Sequence, residues 1–230
     1  MPKLKTHVSN RNLRTPRAAA IAGIIFAILF GASYILIQVS IPSLTDTPAD
    51  WIKDGAESLT LGLSFLPFAG IAFIWFLGVI RDRMGYLEDQ FFSTLFLGSG
   101  ILYIAMIFIA AAVAGGTLAA YALEPDVLDN NMVLLVTRTI TNQIITIYAI
   151  RMAGMFMIVL GTIWMRTQLM PRWLTILTYA LALILIISIG FTHWVTLVFP
   201  AWVLLISAYI LYLNYLIKTK QIQTDGLTVE

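Results

Sequence analysis

Six stretches of this chain, each about 20 residues long and nearly free of charge, limit what it can fold into more than any other feature. A run of that length crosses a hydrocarbon core of roughly 30 Å as an α-helix. They extend from Ala18 to Val39, Leu59 to Ile80, Ser93 to Thr117, Ile144 to Met165, Trp173 to Phe191, and Val195 or Ala201 to Ile217. Lipid offers no partner to backbone N–H and C=O groups, so each run must close its own hydrogen bonds as a helix. Composition agrees: 60% of the 230 residues are hydrophobic and 11% charged, against roughly 45–50% and 25% in soluble domains. The first run exceeds the h-region of a secretory signal and no convincing cleavage site follows it, so it reads as a retained helix. The expected fold is an all-α polytopic transmembrane bundle of six spans.

The segments between the spans alternate in charge. Lys3, Lys5, Arg11, Arg14 and Arg17 precede span one, Arg81 and Arg83 follow span two, Arg166 and Arg172 separate spans four and five, and Lys218 and Lys220 follow span six. The remaining segments hold only Lys53 and Arg138 among the acids Asp46, Asp50, Asp54, Glu57, Glu124, Asp126 and Asp129. By the positive-inside bias both termini are expected in the cytoplasm, as an even number of spans also requires. The division is then a cytoplasmic tail at residues 1–17, a bundle at 18–217 and a second tail at 218–230. Trp51 and Trp194 on the outer side, and Trp164, Trp173 and Tyr215 on the inner, fall where interfacial belts are expected.

Several chemistries find no support. Cysteine is absent, which removes disulfides, thiolate metal sites and a cysteine nucleophile. Neither a metal nor a cofactor is called for, because His193 in "GFTHW" is the one histidine near the membrane and a bis-histidine haem needs two at matched depth. Met152, Met155 and Met157 scatter round their helix as packing residues do. Ser64 and Ser99 lack a base at their depth. No motif calls for a nucleic acid, and enzymatic activity is the weakest reading.

Other segments bear on architecture. "TPADWIKDG" offers Thr47 as an N-cap, Pro48 at the first helical position and Gly55 as a stop, which predicts a short interfacial helix before span two. Spans three and four look longer than the bilayer; Phe91 to Leu123 alone is on the order of 50 Å if helical. The expectation is a hairpin projecting outward around "EPDVLDNN", with Gly115 and Gly116 as the bending point. Ala19, Gly23, Ala27 and Gly31 in span one, and Ala110, Ala114 with Ala112, Gly116 in span three, recur at helix-contact spacing and suit either bundle packing or a homo-oligomer contact. In "RDRMGYLEDQFF", Arg81, Asp82, Arg83, Glu88 and Asp89 make a charged turn, with Gly85 ending one helix and the acids starting the next. That turn reads as a surface ion-pair network or a docking point for a cytoplasmic partner. Pro67 predicts a kink and Pro200 a helix start.

One residue stands apart. Arg151 in "YAIRMAGMF" lies 15 residues before Arg166, about 22 Å along a helix, and so falls slightly outward of the midplane. A centred arginine costs roughly 2.5–3.5 kcal/mol on insertion scales, and such residues commonly face the bundle interior or a wet cavity. On a 100° wheel Thr137, Thr141, Tyr148, Arg151 and Met155 share one face, a polar track descending from the outer surface. Helical side chains lean toward the N-terminus, so the guanidinium should point up that track toward Tyr148. The nearest acid is Glu57 at the outer start of span two, with Gln38, Thr60 and Ser64 as polar neighbours. Either Arg151 is paired with Glu57 or satisfied by hydroxyls and carbonyls, or its charge binds an anionic solute or lipid phosphate together with Tyr148 and Thr141.

The run "LPFAGIAFIWFLGVIRDRMGYLEDQFFSTLFLGSG" with "AAAVAGG" after it, and "RMAGMF" and "MPRW" later, resembles a family of uncharacterised bacterial multi-pass membrane proteins. The resemblance is strongest over residues 66 to 116 and implies a bacterial inner-membrane location, with no activity, substrate or site. Two function classes follow. The preferred one is a non-catalytic membrane subunit or scaffold packing against other membrane proteins, a second copy or lipid. The alternative is a small transporter or channel-like protein binding an anionic solute at Arg151.

Overall fold

The computed structural model of the chain describes residues 15–40, 48–84, 90–123, 131–188 and 193–227. Thr47, Gly85, Glu88, Asp89, Glu124, Asp126 and Asp129 lie outside the described residues, as do the side chains of Trp51, Asp54, Arg83 and His193. The described regular elements are helical: α1 (Thr15–Ser40), α2 (Pro48–Met84), α3 (Gln90–Leu123), α4 (Asn131–Gln143), a π-helical turn (Ile144–Ala149), α5 (Ile150–Thr167), α6 (Arg172–Ile187), a 3-10 turn (His193–Leu197) and α7 (Val198–Leu227).

Five helical segments are long and apolar enough to cross a membrane: Arg17–Val39, Gly55–Asp82, Gln90–Ala120, Met132–Thr167 and Trp194–Leu216. The expected span from Trp173 is instead the 16-residue α6, about 24 Å long. Two boundaries differ for a common reason. Hydropathy marks where a helix is apolar, whereas the helix continues until its backbone donors and acceptors find other partners. α2 therefore starts at Pro48 and runs without interruption through Gly55, which ends nothing, and through Pro67. α4, the π turn and α5 likewise form one rod from Asn131 to Thr167, so the apolar segments of α3 and of this rod, 31 and 36 residues long, both exceed the roughly 20 residues a crossing needs.

The pairs α1–α2, α2–α3, α5–α6 and α6–α7 run antiparallel. Ser33 Oγ donates to the Gly62 carbonyl across α1 and α2 at 2.6 Å, while Gly23 lies against Phe76 further along the same pair. Gly70 and Gly100 seat α2 on α3 against Phe108 and Leu77, and Gly154 seats α5 on α6 against Ile186. Thr162 and Tyr179 share a hydrogen bond of 2.8 Å across α5 and α6. Trp202 Nε1 donates to Thr178 Oγ1 at 2.9 Å, joining α7 to α6, and Thr178 in turn donates to the Leu174 carbonyl. α5 and α7 run in the same direction, with Phe156 on Phe199 and Trp164 on Trp202.

The centre is a cluster of interlocked rings. Phe73 of α2 touches Phe26, Phe76, Tyr103, Phe156 and Phe199, at centroid distances from 4.8 to 6.2 Å. Phe199 of α7 adds Trp202 at 5.8 Å. Rings from α1, α2, α3, α5 and α7 thus fill the axis, Phe199 stacked on Trp202 and the contacts of Phe73 tilted or edge-on, the geometries their quadrupoles favour. Trp164 belongs to this core, buried against Trp202; it is not the interfacial anchor its position suggested. Trp173, Trp194 and Tyr215 are exposed, as anchors would be.

The two small-residue stripes part company. Ala19 and Ala27 are buried and Gly23 is in tight contact, but Gly31 has open space around it. In α3, Ala110 is buried, whereas Ala112 and Gly116 are exposed and nothing approaches Gly116. Close approach is therefore a property of the first three positions of the α1 stripe, and the Ala112–Gly116 edge faces outward.

Candidate functional site

Arg151 sits in the first turn of α5, directly after the π-helical turn. There the ladder has widened: the Ile150 N–H bonds the Ile145 carbonyl, five residues back. Arg151 Nη1 donates to the Ile147 carbonyl at 2.8 Å. The guanidinium thus points toward the helix N-terminus, the direction side-chain geometry dictates, and adds a charged donor to a carbonyl of the widened turn. π-turns inside α-helices frequently mark functional sites.

The same turn breaks the polar track. An i→i+5 ladder takes up about one extra residue per turn, which is roughly 100° of an α-helical wheel. Thr137 and Thr141 are rotated by about that amount away from the face of Arg151 and Met155, and the five residues no longer form one stripe. Thr141 Oγ1 is buried without a hydrogen-bond partner, while Tyr148 is 58% exposed.

Arg151 does not face the ring cluster. The buried face of α5 consists of Ile150, Ala153, Gly154, Phe156, Met157, Val159, Leu160, Gly161, Ile163 and Trp164. Arg151, Met155, Ile158 and Thr162 are half-buried, and Met165 is exposed, along the opposite stripe. That stripe lies between the α6 contact through Gly154 and the α3 contact through Phe156. Arg151 is half-buried on this stripe, opposite the ring-filled interior that an inward-facing arginine was expected to meet.

Glu57 is exposed on α2, and among the described residues no carboxylate pairs with Arg151, whose hydrogen bond goes to Ile147. The other polar neighbours bond within α1 or α2: Gln38 to Tyr34 Oη, Thr60 to the Ala56 carbonyl and Ser64 to the Thr60 carbonyl. Ser99 does the same with Leu95 and Phe96. Hydroxyls that bond back to their own helix are at home in lipid and need no functional explanation.

At the other end of the rod, the Arg166 guanidinium carbon lies 4.5 Å from the centroid of the Phe92 ring. This cation–π contact ties the end of α5 to the start of α3 and had no sequence signal, since the residues are 74 positions apart in the chain. In the charged turn, Arg81 and Asp82 are exposed on the last turn of α2. Between α2 and α3 there is a cleft of about 300 Å³ lined by Leu63, Leu66, Pro67, Phe108, Ala111 and Ala112. Its walls are apolar and it contains no residue of the Arg151 stripe. Among the described residues no cluster of three or more metal-ligating side chains occurs. No protein-family model, curated protein or solved structure matches the chain.

Proposed function

We propose that the protein is a non-catalytic membrane subunit or scaffold, with six crossings, cytoplasmic termini and a bacterial inner-membrane location. The observation that carries this reading is the ring cluster: the bundle axis is filled by side chains from five helices. A scaffold needs a rigid centre and presents its chemistry outside. The exposed apolar residues Leu123, Val133, Leu135, Val136 and Ile140 of the α3–α4 hairpin supply a surface for other membrane proteins or a second copy. Six crossings are supported by chain direction. α5 and α7 run the same way, so the segment between them must return across the bundle, and α6 is that segment.

The alternative, an anionic solute carried to Arg151, requires a polar route to the guanidinium. The break in the Thr141–Arg151 track and the outward stripe weigh against it. The test is flux in proteoliposomes loaded with chloride or a dicarboxylate. Wild type should release either anion no faster than protein-free liposomes. Flux well above that background, lost in Arg151→Gln, would overturn the scaffold reading in favour of transport.

A further inference from the structure

The apolar height of the molecule drops at α6. The apolar segments of α2, α3, the rod that carries Arg151 and α7 are 28, 31, 36 and 23 residues long, about 42, 46, 54 and 34 Å. α6 has 16 residues, and its exposed side chains Trp173, Ile176, Leu183, Ile184 and Ile187 cover only about 21 Å along the axis. Gly154 of α5 lies against Ala182 and Ile186 of α6. One turn further along this antiparallel pair, Arg151 comes level with the end of α6 at Ile187. The 3-10 turn touches the π-helical turn here, and its Trp194 is 59% exposed, as is Tyr148 to nearly the same degree. An arginine, an exposed tyrosine and an exposed tryptophan thus stand at one level, where the apolar surface of α6 stops.

That grouping is what the edge of a hydrocarbon layer demands. Trp and Tyr concentrate at headgroup depth, and a short hydrophobic stretch is matched by local thinning of the bilayer. We propose that Arg151 binds the phosphodiester of a phospholipid in the leaflet on the π-turn side, at a point where the bilayer is thinned against α6. One of the five guanidinium donors is used on Ile147; the planar fork leaves the others for phosphate oxygens. The bond to Ile147 holds the side chain toward the headgroups, and Tyr148 and Trp194 flank it at headgroup depth. The proposal does not rest on the scaffold reading, and absence of anion flux has no bearing on it.

Two measurements test it. First, single cysteines replace Met152 or Ile158 in the cysteine-free chain and carry a nitroxide in nanodiscs of phosphatidylglycerol and phosphatidylethanolamine. Collision with oxygen against a water-soluble nickel chelate reads depth. The label at 152 is expected at phosphate to glycerol level and the label at 158 about 9 Å deeper; a label at 152 in mid-hydrocarbon overturns the proposal. Second, native mass spectrometry of protein relipidated with phosphatidylglycerol should show one tightly retained lipid in wild type and Arg151→Lys, held about tenfold less by Arg151→Gln. Equal retention by Arg151→Gln, displacement by millimolar inorganic phosphate, or replacement of the lipid by a second protein chain overturns it. Should Arg151→Gln fail to fold, the depth measurement, made with Arg151 intact, still decides.

Discussion

Phe73→Ala is expected to destabilise the bundle by about 3 kcal/mol, the largest effect of any single truncation in the core. The side chain is fully buried and makes ring contacts to four other helices. In water much of such a loss is transfer free energy. Between lipid and a protein interior that part is small, so the cavity and the lost dispersion and ring contacts carry the effect, which places it at the low end of the usual 3–5 kcal/mol. Reversible unfolding in mixed micelles by added dodecyl sulfate measures it directly. Phe68→Ala, which removes an exposed ring of the same helix, should change stability by less than about 0.5 kcal/mol.

Gly23→Leu should prevent correct packing of α1, while Gly31→Leu should be tolerated. A Cβ at Gly23 would overlap Ser207 Oγ of α7 and sit 2.9 Å from Phe76 Cδ2 of α2, whereas nothing lies within 4 Å of one at Gly31. Even Gly23→Ala forces a shift at a junction of three helices, costing about 1–3 kcal/mol as overpacking. Gly31→Ala should be neutral or stabilising by up to about 1 kcal/mol, because it removes a helix-disfavouring residue. Thermal unfolding in detergent ranks the four variants. Equal loss at both positions would show that α1 packs differently from the arrangement described above.

Much of the architecture was legible because lipid leaves a chain few choices. Runs such as Ala18–Val39 announce helices by length and apolarity alone, and the excess length of spans three and four followed from counting. What escaped was phase and direction. Nothing in "TNQIITIYAIR" signals a π turn, since any residue type can close an i→i+5 bond, and that one inserted residue rotated the expected polar face apart. Burial of Trp164 and Trp202 could not be told from an interfacial position, because tryptophan suits both. The placement of Arg151 on the stripe opposite the core escaped for a related reason: the rule that intramembrane charges face inward presumes a polar interior, and here Phe73, Phe156 and Phe199 fill it. The short α6 was legible only in part, for its apolar run continues past Ile187 while its helix does not.

Six crossings require α6 to return the chain across the membrane despite its length. The direct measurement uses two single cysteines at exposed positions, Leu169→Cys before α6 and Trp194→Cys after it, in intact cells treated with a membrane-impermeant maleimide. The expected result is labelling of Trp194→Cys at once and of Leu169→Cys only after the membrane is permeabilised. Labelling of both from the same side would contradict it, leaving α6 as a helix that enters and leaves by one face and the chain with an odd number of crossings.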